Sequence, residues 1–249
     1  MTTPIDIREE AGVRTLHFGS DWIQGAMRIA RPWNLELEYT REMMATLLLR
    51  DAPRKVLLIG LGAASLTKFL YRHYPLAHLT VVEIEPAVVA AARQFFKLPE
   101  DPRRLHLVIG DGAEYVLGSN KQFDLILVDG FDENARSGAL ESLPFYQACR
   151  AHLSENGIAS FNFLTRSSRR LDASLKCIAE AFDERLLVFP SCESGNAIAL
   201  AASGDPIEAS FDELKENALA LKEATGLNLL PTLTRLAQAG ICLNNRLVM

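Results

Sequence analysis

The sequence predicts an α/β protein with a doubly wound, mostly parallel central sheet and a small N-terminal β unit. Three observations lead there. Short apolar runs recur at Val56–Ile59, Leu79–Ile84, Leu105–Ile109, Leu125–Val128 and Ile158–Phe163, and strands without strict polar alternation are those buried on both faces of a sheet. The segments between them carry helical spacing, the alternation that puts helices on both sides of parallel strands. The first run breaks directly into Gly60-Leu61-Gly62-Ala63-Ala64-Ser65, a turn of small residues ahead of a helical pattern, as at the first strand of a nucleotide-binding sheet.

Taken in order, Val13–Phe18 and Trp22–Ile29 alternate with period two and predict half-buried strands of a small antiparallel unit. From Asn34 to Leu49, Leu35, Leu37, Met43, Met44, Leu47 and Leu48 fall at helical spacing, so a helix leads into Asp51-Ala52-Pro53, where proline punctuates. The division follows: 1–50 is a small β-hairpin and helix unit, and 51–249 is the main domain. After the five apolar runs, Leu186–Phe189 and Ala197–Ala202 are bracketed by Pro190-Ser191 and Ser194-Gly195-Asn196. They predict an antiparallel hairpin closing the sheet, which makes it Rossmann-like of the methyltransferase type. Phe211–Ala224 reads as a helix, and Leu229–Gly240 as a shorter one entered at Pro231.

Composition narrows the function. Of 249 residues, 49% are apolar and 23% charged, ordinary for a soluble globular protein, and no stretch has the ~20 apolar residues of a membrane span. Met1-Thr2-Thr3-Pro4 lacks the regions of a secretory signal, so a cytoplasmic protein away from membranes is expected. A net charge of -5 gives no electrostatic reason for nucleic-acid binding, despite the local cluster Arg166, Arg169 and Arg170. Cys149, Cys177, Cys192 and Cys242, like the five histidines, show no ligand spacing, so no metal site is expected.

Ligands in such sheets lie beyond the carboxyl ends of the strands. Four ends carry suggestive groups: Gly60 and Gly62, then Glu83, then Gly110-Asp111-Gly112-Ala113, then Asp129-Gly130-Phe131-Asp132. Bare glycine backbone admits close approach of a ligand, and an acid about 20 residues further on can accept both hydroxyls of a ribose through its two oxygens. Asp111 is placed for adenine contact or for capping the next helix, and both can hold together. With no third glycine after Gly62, a nucleoside without phosphates fits better than a dinucleotide. Glu85 before Pro86 reads as a helix-entry acid. On residue chemistry alone, Asp129-Gly130 reads as a turn.

Val108-Ile109-Gly110-Asp111-Gly112-Ala113-Glu114-Tyr115 followed by Phe123-Asp124-Leu125-Ile126-Leu127-Val128-Asp129-Gly130-Phe131-Asp132 resembles the spermidine synthase family of polyamine aminopropyltransferases. Val82-Glu83-Ile84-Glu85, Asp101-Pro102-Arg103, Ser20-Asp21-Trp22-Ile23-Gln24 and Glu38-Tyr39-Thr40-Arg41 extend the likeness over most of the chain. The resemblance implies transfer of an aminopropyl group from decarboxylated S-adenosylmethionine to a small amine, with release of methylthioadenosine. It implies Gly60, Gly62, Glu83, Asp111, Gly112 and Ala113 around the nucleoside, Asp129 as the base and Asp132 as the carboxylate orienting the amine. Gln24 and Tyr39 would line the amine pocket, and the protein would be a homodimer. Three departures bear on specificity: Ala63 stands where the family has the acid that holds the donor's ammonium, Thr40-Arg41 replace His-Glu, and residues 133–138 replace a Pro-x-Gly-Pro stretch. Loss of the acid leaves S-adenosylmethionine itself as an alternative donor. It also leaves a methyltransferase, or a nucleoside-binding homologue without turnover, as competing readings. Arg41 or Arg136 in the cleft would repel a polyamine.

Overall fold

The computed structural model describes residues 4–131, 137–165, 168–192, 195–240 and 245–249. Strands β1 (Ile5–Glu10), β2 (Val13–Phe18) and β3 (Gly25–Arg28) form an antiparallel sheet in that order. Ala11 and Gly12 join the first two with φ of 47° and 75°, the doubly positive geometry that suits a tight hairpin to strand twist. Strand β1 adds to the two strands expected. The predicted strand from Trp22 shortens, because residues 22–24 leave the sheet to line a cavity.

The helix expected over 34–49 divides into α1 (Glu38–Met43) and a 3-10 turn, Met44–Leu48. Glu42 through Thr46 are all buried, so no single face selects a continuous α-helix. Leu37 offers no side-chain cap, and the Thr40 hydroxyl bonds back to the Leu37 carbonyl at 2.6 Å.

The main body alternates as the sequence predicts: β4 (Lys55–Ile59), α2 (Ser65–His73), β5 (His78–Glu83), α3 (Pro86–Phe95), β6 (Leu105–Ile109), α4 (Gly112–Leu117), β7 (Phe123–Val128), α5 (Leu143–Ala151), β8 (Leu153–Leu164), α6 (Ser168–Ala181), β9 (Leu186–Val188) and β10 (Asn196–Ala202). Among the described residues these strands make one seven-stranded sheet in the order β6-β5-β4-β7-β8-β10-β9. The first five are parallel, and β10 runs antiparallel to both β8 and β9. Alternate residues of β4 feed different cores. Val56 and Leu58 pack with Leu16, Met27, Met43 and Met44, whereas Leu57 and Ile59 pack with Phe145, Tyr146 and Phe161. That sidedness follows from the two-residue period of a strand. Beyond the sheet, β11 (Glu208–Ser210) and β12 (Arg246–Val248) form a short antiparallel pair, missed in sequence because each has three residues. They flank α7 (Phe211–Thr225) and α8 (Leu230–Gln238).

Candidate active site

Strand order reverses between β4 and β7, since β4 pairs with β5 on one side and β7 on the other. A cleft must open beyond the carboxyl ends at such a point. There, Gly60 has φ of 92°, and a Cβ on it would lie 2.0 Å from the Asp129 carbonyl oxygen. Its N–H donates to the Val82 carbonyl at 2.9 Å, and the Asp129 N–H to that of Ile59 at 2.8 Å. Glycine at position 60 therefore lets the ends of β4 and β7 close on each other. Gly62, with φ of 50°, faces the Gln24 carbonyl, and Gly112 packs its Cα where a Cβ would meet Ile59 Cγ2 at 2.4 Å.

Glu83 ends β5 and is 7% exposed. The Leu61 N–H donates to its Oε2 at 2.8 Å and the Glu85 N–H to its Oε1 at 2.9 Å. A carboxylate has about four acceptor sites, so this one is aimed by the backbone and keeps capacity to accept from a ligand. Burial raises its carboxyl, and the N–H groups of Glu85, Leu61 and Ile84 oppose that rise. Glu85 caps α3 by accepting from Ala87 N–H, ahead of Pro86, as expected. Asp111 caps α4, accepting from the Ala113 and Glu114 N–H groups at 2.7 and 3.0 Å, and it also lines the cleft. The capping role is thus observed, and the side chain also stands at the cavity. Ala113 contributes its backbone rather than its side chain to this edge. Its methyl belongs to the core cluster of Leu57, Ile59 and Val116 and forms no part of the cavity wall.

The cleft is a cavity of about 800 Å³ walled by the strand ends, residues 21–24, Tyr39 and the segment Ser137–Leu140. Gly60, Gly62, Glu83, Asp111, Gly112, Asp129, Gln24 and Tyr39 all face it, so one site gathers most of the residues singled out from sequence. Its ionisable acids are Asp21, Glu83, Asp111 and Asp129, and among the described lining residues the charged side chains are all carboxylates. Asp21 sits at the rim, paired with Arg8 at 2.8 Å. Trp22, Ile23 and Ile84 expose apolar surface beside it.

Asp129 is held on both oxygens. The Asn162 amide donates to Oδ1 at 2.8 Å and the Tyr39 hydroxyl to Oδ2 at 3.2 Å. Burial raises the Asp129 carboxyl, with those two donors opposing. Tyr39 is pushed well above the usual phenol range by burial and by the adjacent Asp129, so it stays protonated and donates. Behind Asn162, the Asn196 amide donates to the Asn162 side-chain oxygen at 2.9 Å. Neither asparagine was singled out from sequence. The available signal was an amide at position 162 within a run whose one other polar residue is Ser160, at the same end of its strand as Asp129 on the neighbouring one.

Asp132 and Arg136 lie outside the described residues. Arg41 stands away from the cavity wall, donating to the Leu35 and Glu36 carbonyls. Ala63 is 2% exposed and packed against Gly25, where a Cβ would fall 2.6 Å from its own. Its methyl seals the turn onto β3 and faces the N-terminal unit.

Residues 36–195, from the approach to α1 through β9, match the family model described as the spermine/spermidine synthase domain. The chain belongs to the spermine/spermidine synthase family. A polyamine aminopropyltransferase of Neisseria meningitidis serogroup A is 36% identical over 90% of this chain and 85% of its own length. Among solved structures, a probable spermidine synthase from Corynebacterium glutamicum superposes with a TM-score of 0.69, at 18% identity, over 90% of this chain and 91% of that one. Human methyltransferase-like protein 13, solved in complex with SAH, gives the same TM-score at 25% identity over 76% of this chain and 93% of that one. The sheet is therefore one that spermidine synthases share with methyltransferases. The family's matched span contains Tyr39, Gly60, Glu83, Asp111, Asp129 and Asn162, and it stops one residue short of Asn196.

Proposed function

We propose that this transferase moves an aminopropyl group from decarboxylated S-adenosylmethionine to a small amine. One observation carries the reading: a carboxylate, Asp129, is gripped by Tyr39 and Asn162 in a cavity whose described charged side chains are all acids, beside the carboxyl ends of β4, β5 and β6. Both reactants are cations, a sulfonium and an ammonium, and such a cavity offsets their mutual repulsion as they are brought together. The domain from residue 51 onward supplies the nucleoside half. Glu83 accepts the ribose hydroxyls on its free acceptor sites, Asp111 meets the base edge, and Gly60, Gly62, Gly112 and the backbone at Ala113 let the ligand approach. The unit over 1–50 supplies Gln24 and Tyr39 to the amine side.

The reaction needs a neutral amine, whereas a primary ammonium ionises at about 10.4. Asp129, its carboxyl raised by burial, is a better proton acceptor than a solvated aspartate. The freed nitrogen lone pair attacks the methylene carbon on sulfur. The carbon–sulfur electrons return to sulfur, and neutral methylthioadenosine leaves while the proton stays on Asp129. Asp132 is proposed as the carboxylate that orients the acceptor. Because the charged wall is anionic, the decarboxylated donor fits better than one carrying a methionine carboxylate, even though Ala63 contributes no acid.

Asp129→Asn tests the assignment. Turnover falls by ~100-fold or more with methylthioadenosine affinity within a few-fold of the parent, followed by methylthioadenosine release and calorimetry; unchanged turnover removes Asp129 as base. Calorimetric titration with both donors separates aminopropyl from methyl transfer, since tighter binding of S-adenosylmethionine itself favours the methyltransferase reading.

A further inference from the structure

Helix α1 carries Tyr39 but has only six residues and no side-chain cap at its N-terminus. A helix that short does not stand alone and takes its position from tertiary contacts. One such contact comes from Arg235 on α8, well beyond the span matched by the family model. Its Nη1 donates to Glu38 Oε1 at 2.8 Å and also to Glu42 Oε1. Its Nη2 donates to the Pro190 carbonyl. Glu42 is fully buried, and its second oxygen has no hydrogen-bond partner among the described residues. Burial pushes that carboxyl up to about 7, and Arg235, with a smaller contribution from Arg41, opposes the rise.

The three acceptors lie behind two lining residues, Tyr39 and Asn196, rather than on the cavity wall itself. Glu38 and Glu42 bracket Tyr39 on α1, and Pro190 leads into Ser191 and Cys192, whose hydroxyl and N–H donate to the Asn196 carbonyl at 3.3 and 2.8 Å. Tyr39 and Asn196 are the two ends of one hydrogen-bonded chain, Tyr39 to Asp129, Asn162 to Asp129, and Asn196 to Asn162. We infer that Arg235 is a positioning residue of this site, its planar guanidinium fastening α1 to the Pro190 segment and so holding both ends of the chain that orients Asp129. A fork with several fixed donors suits that task, and a lysine ammonium does not.

The activity readout rests on the aminopropyl-transfer reading, so an activity-independent one accompanies it. In Arg235→Ala, amide hydrogen exchange across α1 rises about tenfold or more relative to the parent, while β4 to β7 exchange as before. With parent activity in hand, kcat falls about 10- to 100-fold with the donor KM within about twofold, as expected when a reacting group shifts rather than a binding site being lost. Tyr39→Phe costs little more when added to Arg235→Ala, because the two act through one contact. Should Arg235→Ala fail to fold, Arg235→Lys retains the charge for Glu42 but cannot serve both segments, and the same measurements apply to it. Unchanged exchange in α1, or full additivity of the Tyr39 and Arg235 variants, overturns the inference. If the parent forms no methylthioadenosine with any amine, aminopropyl transfer is what fails, and exchange alone decides Arg235.

Discussion

Tyr39→Phe removes one donor from Asp129 and leaves the ring that walls the cavity. The hydroxyl donates to Oδ2 at 3.2 Å, longer than the ~2.7–2.8 Å usual for such bonds. A hydrogen bond to a charged group contributes ~1.5–3 kcal/mol, and this geometry calls for the lower end. Losing it disfavours the ionised carboxylate by ~1.5 kcal/mol, roughly tenfold in its ionisation equilibrium. The sign follows from the site: burial already raises that carboxyl and the hydroxyl opposes the rise, so deletion moves it further up. The acidic limb of kcat/KM, followed by methylthioadenosine release across a pH series, therefore shifts upward, with activity on that limb down roughly tenfold. Activity falls most near the limb and recovers at alkaline pH. A limb that stays in place or moves down refutes the hydrogen-bonded arrangement on which the base assignment rests.

Lys68 is 1% exposed, its Nζ has no hydrogen-bond partner among the described residues, and burial lowers it from 10.5 to about 7. The unfolded chain holds that proton more tightly, so stability rises with pH between about 7 and 10.5. By the same ~1.4 kcal/mol per unit, Lys68→Met gains roughly 4 kcal/mol at pH 7 and roughly 2 at pH 9, read from urea midpoints; a gain independent of pH refutes the account. Gly60→Ala forces a methyl onto the Asp129 carbonyl oxygen at an unfavourable φ and costs roughly 3–5 kcal/mol along with activity. Gly226→Ala, at the αL cap of α7 with open space around it, costs only about 1 kcal/mol in the same denaturation assay.

Much of the site was legible because its residues terminate strands that the apolar runs mark. Gly60, Glu83, Asp111 and Asp129 are each followed or preceded by a strong local signal, and parallel pairing then brings them to one edge whatever the details of packing. The Ala113 side chain packs in the core, because one helical step decides which way a methyl faces and that phase is set by the packing of α4 on Ile59 and Val116. The break in the helix over 34–49 was hidden for a related reason. Residues buried on every side carry no amphipathic period to read.

By itself the sequence determined the alternation of strands and helices, the reversed hairpin that completes the sheet, and the acids at its carboxyl edge, since hydrophobic period and turn chemistry are local properties of the chain. Only the tertiary structure decided which partners those acids have. Tyr39 on a short helix and Asn162 meet at Asp129, Asn196 on the adjacent antiparallel strand holds Asn162, and Arg235 from the far end of the chain holds α1, all through contacts whose sequence separation leaves no pattern in any one segment. The same holds for Ala63, turned toward β3 by the packing of the loop, and for Lys68, whose isolation is visible only once its surroundings are assembled.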